Sequence, residues 1–96
     1  MPRASDYTKE FLKDWQRLSH SGRYDMKRLK EAMALIITND GLLPAEWLDH
    51  PLAGDWKGHR ECHVGGDFLL IYRLAEVSKH EIVVFVRSGT HSELFR

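Results

Sequence analysis

The sequence predicts an α+β fold, an antiparallel sheet packed against an N-terminal helical hairpin. Three observations point there. Apolar residues recur at helical spacing from Phe11 to Leu18 and from Met26 to Ile36; runs at 68–74 and 81–87 are rich in β-branched and aromatic residues; and Gly65-Gly66 marks a tight hairpin turn. The 96 residues make one domain, residues 1–96, with room for a single core of two packed layers.

Residues 3–7 could form a short strand. Thr8 is suited to cap a helix in which Phe11, Leu12, Trp15 and Leu18 alternate with Lys9, Glu10, Lys13, Asp14 and Arg17, stopped near His20 by Ser21-Gly22. Asp25 is a good N-cap for a second helix, with Met26, Leu29, Met33 and Ile36 on one stripe, and Asn39-Asp40-Gly41 ends it. The short polar turn between the two makes a helical hairpin. Residues 42–48 read as a loop containing a helical turn, and Asp49-His50-Pro51 leads toward strands at 57–64, 68–74 and 81–87, the last two joined by a longer turn at 75–79. One apolar face on each helix is what such a sheet needs to close its core.

Composition excludes several classes. Hydrophobic content is 43%, yet the longest apolar run, Ile82 to Val86, is far shorter than a membrane span, and the N-terminus has no apolar signal segment. A cytoplasmic protein with no membrane partner is expected, and the lone Cys62 fits a reducing compartment. Fourteen basic residues balance 14 acidic ones, which argues against a nucleic-acid binder with a broad basic footprint, so any RNA contact depends on local clustering. Five of the six histidines lie beyond the midpoint, which points to the C-terminal half for proton chemistry.

With Gly65-Gly66 as the turn, His63 pairs across from Phe68 and Asp67 sits at the turn itself. A second hairpin closing near Leu74 and His80 brings Arg87 opposite Asp67, or opposite Phe68 if it slips by one residue. Gly89 then permits a turn that returns His91 over the same edge.

The stretch from Asp49 to Tyr72, DHPLAGDWKGHRECHVGGDFLLIY, followed by RSGTHSELF from Arg87 to Phe95, resembles the YafQ group of the RelE/ParE superfamily of bacterial toxins. The helices, with FLKDWQRL and YDMKRLKEAMALI, match the same pattern, so the resemblance covers nearly the whole chain. It implies a RelE-like microbial ribonuclease fold, cleavage of mRNA in the A site of the 30S ribosomal subunit, and a cognate antitoxin that neutralises the toxin by binding it. The family's functional set falls on His50, His63, Asp67, Arg87, His91 and Phe95. The chain departs from the pattern at Gly65-Gly66, where members often carry an acidic residue and a proline, and at Phe68, where they often carry tryptophan.

These side chains suit RNA cleavage without metal or cofactor. The 2′-OH attacks the adjacent phosphorus, leaving a 2′,3′-cyclic phosphate and a free 5′-OH, if one group takes the 2′ proton and another protonates the departing oxygen. His91 is the expected general acid, and Arg87 the phosphate holder through its planar fork. His50, His63 and Asp67 form the base side, with the choice among them open. Phe95 is placed to stack on a base.

Structural roles compete: an Arg87–Asp67 ion pair, Asp67 as a turn residue, His50 bracing the loop before Pro51, Phe95 pinning the terminus. A metal site at His59, Cys62 and His63, joined by His50 or His91, is disfavoured because His59 and Cys62 point to opposite faces of a strand. A non-catalytic ParE-like toxin or a protein-binding module is the alternative function.

Overall fold

The computed structural model describes residues 3–38 and 43–95, so the expected helix stop at Asn39-Asp40-Gly41 lies outside the described residues. The chain opens with β1 (Ala4–Tyr7), exposed along its length. Thr8 follows in extended conformation and its hydroxyl accepts from the Phe11 amide, which starts α1 (Lys9–Ser21); Gly22 ends it in the left-handed conformation. Asp25 accepts from the Arg28 amide in the same way at the start of α2 (Met26–Thr38). A 3₁₀ turn at Ala45–Trp47 buries Trp47, and the two-residue strand β2 (His50–Pro51) and a second 3₁₀ turn (Gly54–Trp56) precede β3 (Arg60–Gly65). Among the described residues no helix is long and apolar enough to cross a membrane.

The sheet runs β1-β5-β4-β3-β2 and is antiparallel except at β1, which pairs in parallel with β5. A parallel pair cannot be closed by a tight turn, and here both helices and three strands intervene. β4 (Phe68–Val77) and β5 (His80–Gly89) are longer than expected, because Ser78-Lys79 alone closes them, with φ of 51° and 66°. Two left-handed residues match the twist of the flanking strands and so close a hairpin without glycine.

That closure corrects the expected registers. Val77 faces His80, one extra residue interrupts the pairing between Phe85 and Arg87, and Arg87 lies across from Ile71 rather than from Asp67 or Phe68. In the first hairpin the loop is Gly66-Asp67, Gly65 faces Phe68, and His63 faces Leu69 across a second irregularity. The chain ends in α3 (His91–Leu94), a short helix not expected from the sequence, fixed by a capping box between Thr90 and Glu93.

The sheet has two unequal faces. Cys62, Val64, Leu70, Tyr72, Val83 and Phe85 pack against Phe11, Leu18, Leu29 and Ile36 of the helices. The opposite face carries a smaller cluster of Leu69, Ile71 and Leu94, with Leu52, Trp56 and Val86 at its margin. Burying each large apolar side chain contributes roughly 1.5–3 kcal/mol. The helix face therefore holds most of the buried apolar contacts, and the opposite face is the more thinly packed.

Candidate active site

Side chains alternate along β3, so with Cys62 and Val64 under the helices, Glu61 and His63 face the other way. β2 pairs His50 directly with Glu61, which brings the His50 ring to the same side, with its centroid 6.0 Å from that of His63. The third ring arrives from the C-terminus. His91 opens α3, and its centroid lies 6.2 Å from that of His63 and 5.6 Å from Phe95. Phe95 stands edge-on to Trp56 at 5.8 Å, more than a third exposed.

Asp67 joins this group through His91. Its Oδ1 accepts from the His91 ring Nδ1 at 2.7 Å and from the His91 amide at 3.1 Å. The ring bond first, and the amide bond second, hold the Asp67 carboxyl below the usual carboxylate range. Leu69 faces Gly89, and two more residues along that register set position 67 beside position 91. The shift that carries Arg87 away from Asp67 thus delivers His91 to it.

Beneath the rings lies Glu61, absent from the expected set and 2% exposed. Its Oε2 is 2.9 Å from His50 Nε2, and its Oε1, 3.8 Å from His91 Nε2, has no hydrogen-bond partner among the described residues. His50 Nδ1 meets the Leu48 carbonyl at 2.7 Å and must be the donor there. With Nδ1 donating to that carbonyl, the His50 Nε2 is the ring nitrogen turned to the Glu61 carboxylate. His63 Nδ1 faces the Gly66 carbonyl at 3.4 Å, a long contact, and a ring nitrogen of His63 lies within 4.8 Å of the His50 and Glu61 ligand atoms.

Asp49, also outside the expected set, braces the segment that carries His50. Its side chain is 3% exposed and accepts from the Tyr72 hydroxyl at 2.8 Å and from Arg60 Nε at 3.2 Å. Burial, with Asp49 second, pushes the Tyr72 phenol well above its ordinary range.

Arg87 stands apart from the histidines. Its Nε and Nη2 donate to Asp14 of α1 at 2.7 and 3.1 Å, and these bonds raise its already high pKa. Asp14 is 4% exposed and also accepts from the Ser88 amide at 3.0 Å and Arg17 at 3.2 Å. The expected Arg87–Asp67 pair does not form, since the two are on different registers. Gly89 belongs to this joint, because a Cβ there would lie 2.8 Å from Glu93 Oε1, where Glu93 also pairs with Arg17.

Ligand atoms of His50, Glu61 and His63 lie within 4.8 Å of one another, two imidazoles and a carboxylate, a donor set that suits zinc or copper. It is not the His59, Cys62, His63 grouping weighed from the sequence. Cys62 is buried on the helix face, where burial pushes its thiol up to about 12, and His59 stacks edge-on against Trp56.

Glu61 was findable from sequence, since it is two residues from His63 on one strand and must share its face. Asp14 left a fainter signal, a carboxylate between Phe11 and Leu18 on the apolar side of α1.

The geometry has clear relatives. The model of the family described as "Bacterial toxin of type II toxin-antitoxin system, YafQ" matches residues 3–96. The mRNA interferase toxin YafQ of Escherichia coli K12 is 42% identical over 90 residues, covering 94% of this chain and 92% of its own. The crystal structure of the E. coli DinJ-YafQ toxin-antitoxin complex superposes with a TM-score of 0.83 at 41% identity over all of both chains. A metal-bound toxin from Helicobacter pylori superposes at 0.81 with 36% identity, covering 99% of this chain and 100% of that one. With the matching fold and near-complete coverage, these similarities establish that the chain belongs to the YafQ family of bacterial type II toxin-antitoxin toxins.

Proposed function

We propose that this protein is an endoribonuclease toxin that cuts mRNA in the ribosomal A site by metal-independent acid–base catalysis, acts in the cytoplasm and is held inactive by a cognate antitoxin. The E. coli relative is named an mRNA interferase, and its complex with DinJ is a toxin-antitoxin pair. One observation carries the catalytic reading: His91 is oriented by Asp67 through Nδ1, with its ring centroid 6.2 Å from that of His63 and its Nε2 3.8 Å from Glu61 Oε1.

Between those two rings the RNA 2′-oxygen attacks phosphorus while His63 Nε2 takes its proton. The bond from phosphorus to the 5′-oxygen breaks, and His91, as imidazolium, protonates the departing oxygen. The products are a 2′,3′-cyclic phosphate and a 5′-OH, and the two histidines end in exchanged protonation states that solvent restores. Asp67 acts by positioning His91 through its Nδ1 and backbone amide. Because His50 spends Nε2 on Glu61, we place it and Glu61 in support of His63, with the buried carboxylate offsetting the charge His63 gains. Arg87 keeps Nη1 for a phosphate oxygen, and Phe95 stacks on a neighbouring base.

Inducing the protein alone should stop growth and leave new 5′-OH ends in translated mRNA. His91→Ala should abolish both without unfolding the domain, since that side chain is 53% exposed. A folded variant that stays equally toxic would remove the acid assignment. Naked RNA should be cut poorly, because a chain with 14 positive and 14 negative side chains lacks the field to hold it.

The His50, Glu61, His63 set favours one second reading, in which those residues hold a metal ion. Chelation with EDTA separates the two: activity that persists supports the proton inventory above, and activity lost to EDTA and restored by zinc supports the metal.

A further inference from the structure

An open groove of about 330 Å³ adjoins Asp67 and Thr90, lined also by Arg23, Tyr24, Gly65 and Phe68. It is formed where the α1–α2 turn meets the Gly66-Asp67 hairpin, and Arg28 Nε ties the two by donating to the Val64 carbonyl at 2.6 Å. Its floor is aromatic: the Tyr24 and Phe68 rings meet at 4.9 Å with a 51° tilt, Phe68 buried and Tyr24 half-buried. Above the floor Arg23 is exposed, with no ion-pair partner among the described residues. Two carboxylates also reach the groove: Asp67 is paired with His91, and Asp25 caps α2 through the Arg28 amide and keeps its charge, so Arg23 is the groove's one cation among its described lining residues.

We propose that this groove binds one nucleotide of the cleaved strand, next to the scissile phosphate, with its base against Tyr24 and its phosphate on Arg23. This rests on the nuclease reading above and adds a substrate subsite to it. Continuity favours RNA as the occupant. Asp67 and Thr90 belong both to the groove and to the joint that holds His91, so a strand passing the acid must enter or skirt this space. Size agrees, since the volume is at the lower end of ligand pockets and suits a single base with its sugar. Chemistry agrees as well, because a stacking ring beside an unpaired guanidinium is how single strands are held, and each such stack is worth roughly tenfold or more in binding. Phe95 would hold the nucleotide at the other side of His91, giving the strand one aromatic seat on each side of the acid.

The test maps mRNA 5′ ends after induction of the wild type, Tyr24→Phe, Tyr24→Ala and Arg23→Ala, with circular dichroism of each purified protein. Tyr24→Phe keeps the ring and should cut as the wild type does. Tyr24→Ala should cut at least tenfold less often and lose base preference at one position beside the cut, and Arg23→Ala should cut less with preference retained. Because Arg23 is exposed, its variant reports even if Tyr24→Ala fails to fold. Variants that cut at wild-type positions and frequency overturn the groove while leaving the nuclease intact, and so would variants that cut normally but escape inhibition by the co-expressed antitoxin, which would make the groove a protein contact. A wild type that leaves mRNA whole overturns the nuclease reading and the groove with it.

Discussion

Removing the Asp14 carboxylate is the perturbation whose cost the geometry sets most directly. Asp14 is 4% exposed and accepts bonds from Arg87, Arg17 and the Ser88 amide, joining α1 to the end of β5. In Asp14→Ala the Ser88 N–H is left buried without an acceptor, a loss of roughly 1–3 kcal/mol. The Arg87 side chain is 29% exposed, so water recovers much of its charge and the lost pair adds only about 1 kcal/mol. The total is about 2–4 kcal/mol, which lowers Tm by roughly 10–30 °C in a domain of this size. Urea unfolding followed by circular dichroism measures it, and Asp14→Asn, which keeps an acceptor for Ser88, should lose less than half as much. Equal losses for Ala and Asn would show that the buried amide is not what matters, and a loss under about 1 kcal/mol for Ala would refute the clamp altogether.

Other expectations follow from the same contacts. The Asp67 carboxyl is held below its ordinary range by His91, so the stability it contributes is present above the unfolded carboxylate pKa near 4 and is lost as pH falls through the depressed folded value; carboxyl NMR titration should show that low midpoint in the wild type and its return to normal in His91→Ala. Cys62, buried with its thiol pushed up to about 12, should resist iodoacetamide at pH 8 in the folded protein and react at once in 6 M guanidinium, so rapid native alkylation would contradict its placement. Gly89→Ala forces a Cβ to 2.8 Å from Glu93 Oε1, and the opened capping box should loosen His91, seen as faster amide exchange at 91–94 together with reduced cleavage.

Both helices were legible from the sequence because their caps and stripes are local: Thr8 and Asp25 bond amides three residues on, and Phe11 with Leu18, like Leu29 with Ile36, lie two helical turns apart on one face. The hairpins were legible as hairpins for the same reason, through glycines and β-branched runs. Of the six expected site residues, His50, His63, Asp67, His91 and Phe95 form one linked group. What composition and spacing left open was register. A two-residue loop at Ser78-Lys79 and one bulged residue decide that Asp67 meets His91 while Arg87 meets Asp14, and a slip of one or two positions in pairing costs nothing that can be seen along the chain. Glu61 makes the same point: its neighbours in sequence say only which face it is on, whereas its burial and its 2.9 Å contact with His50 exist because β2 is laid against β3.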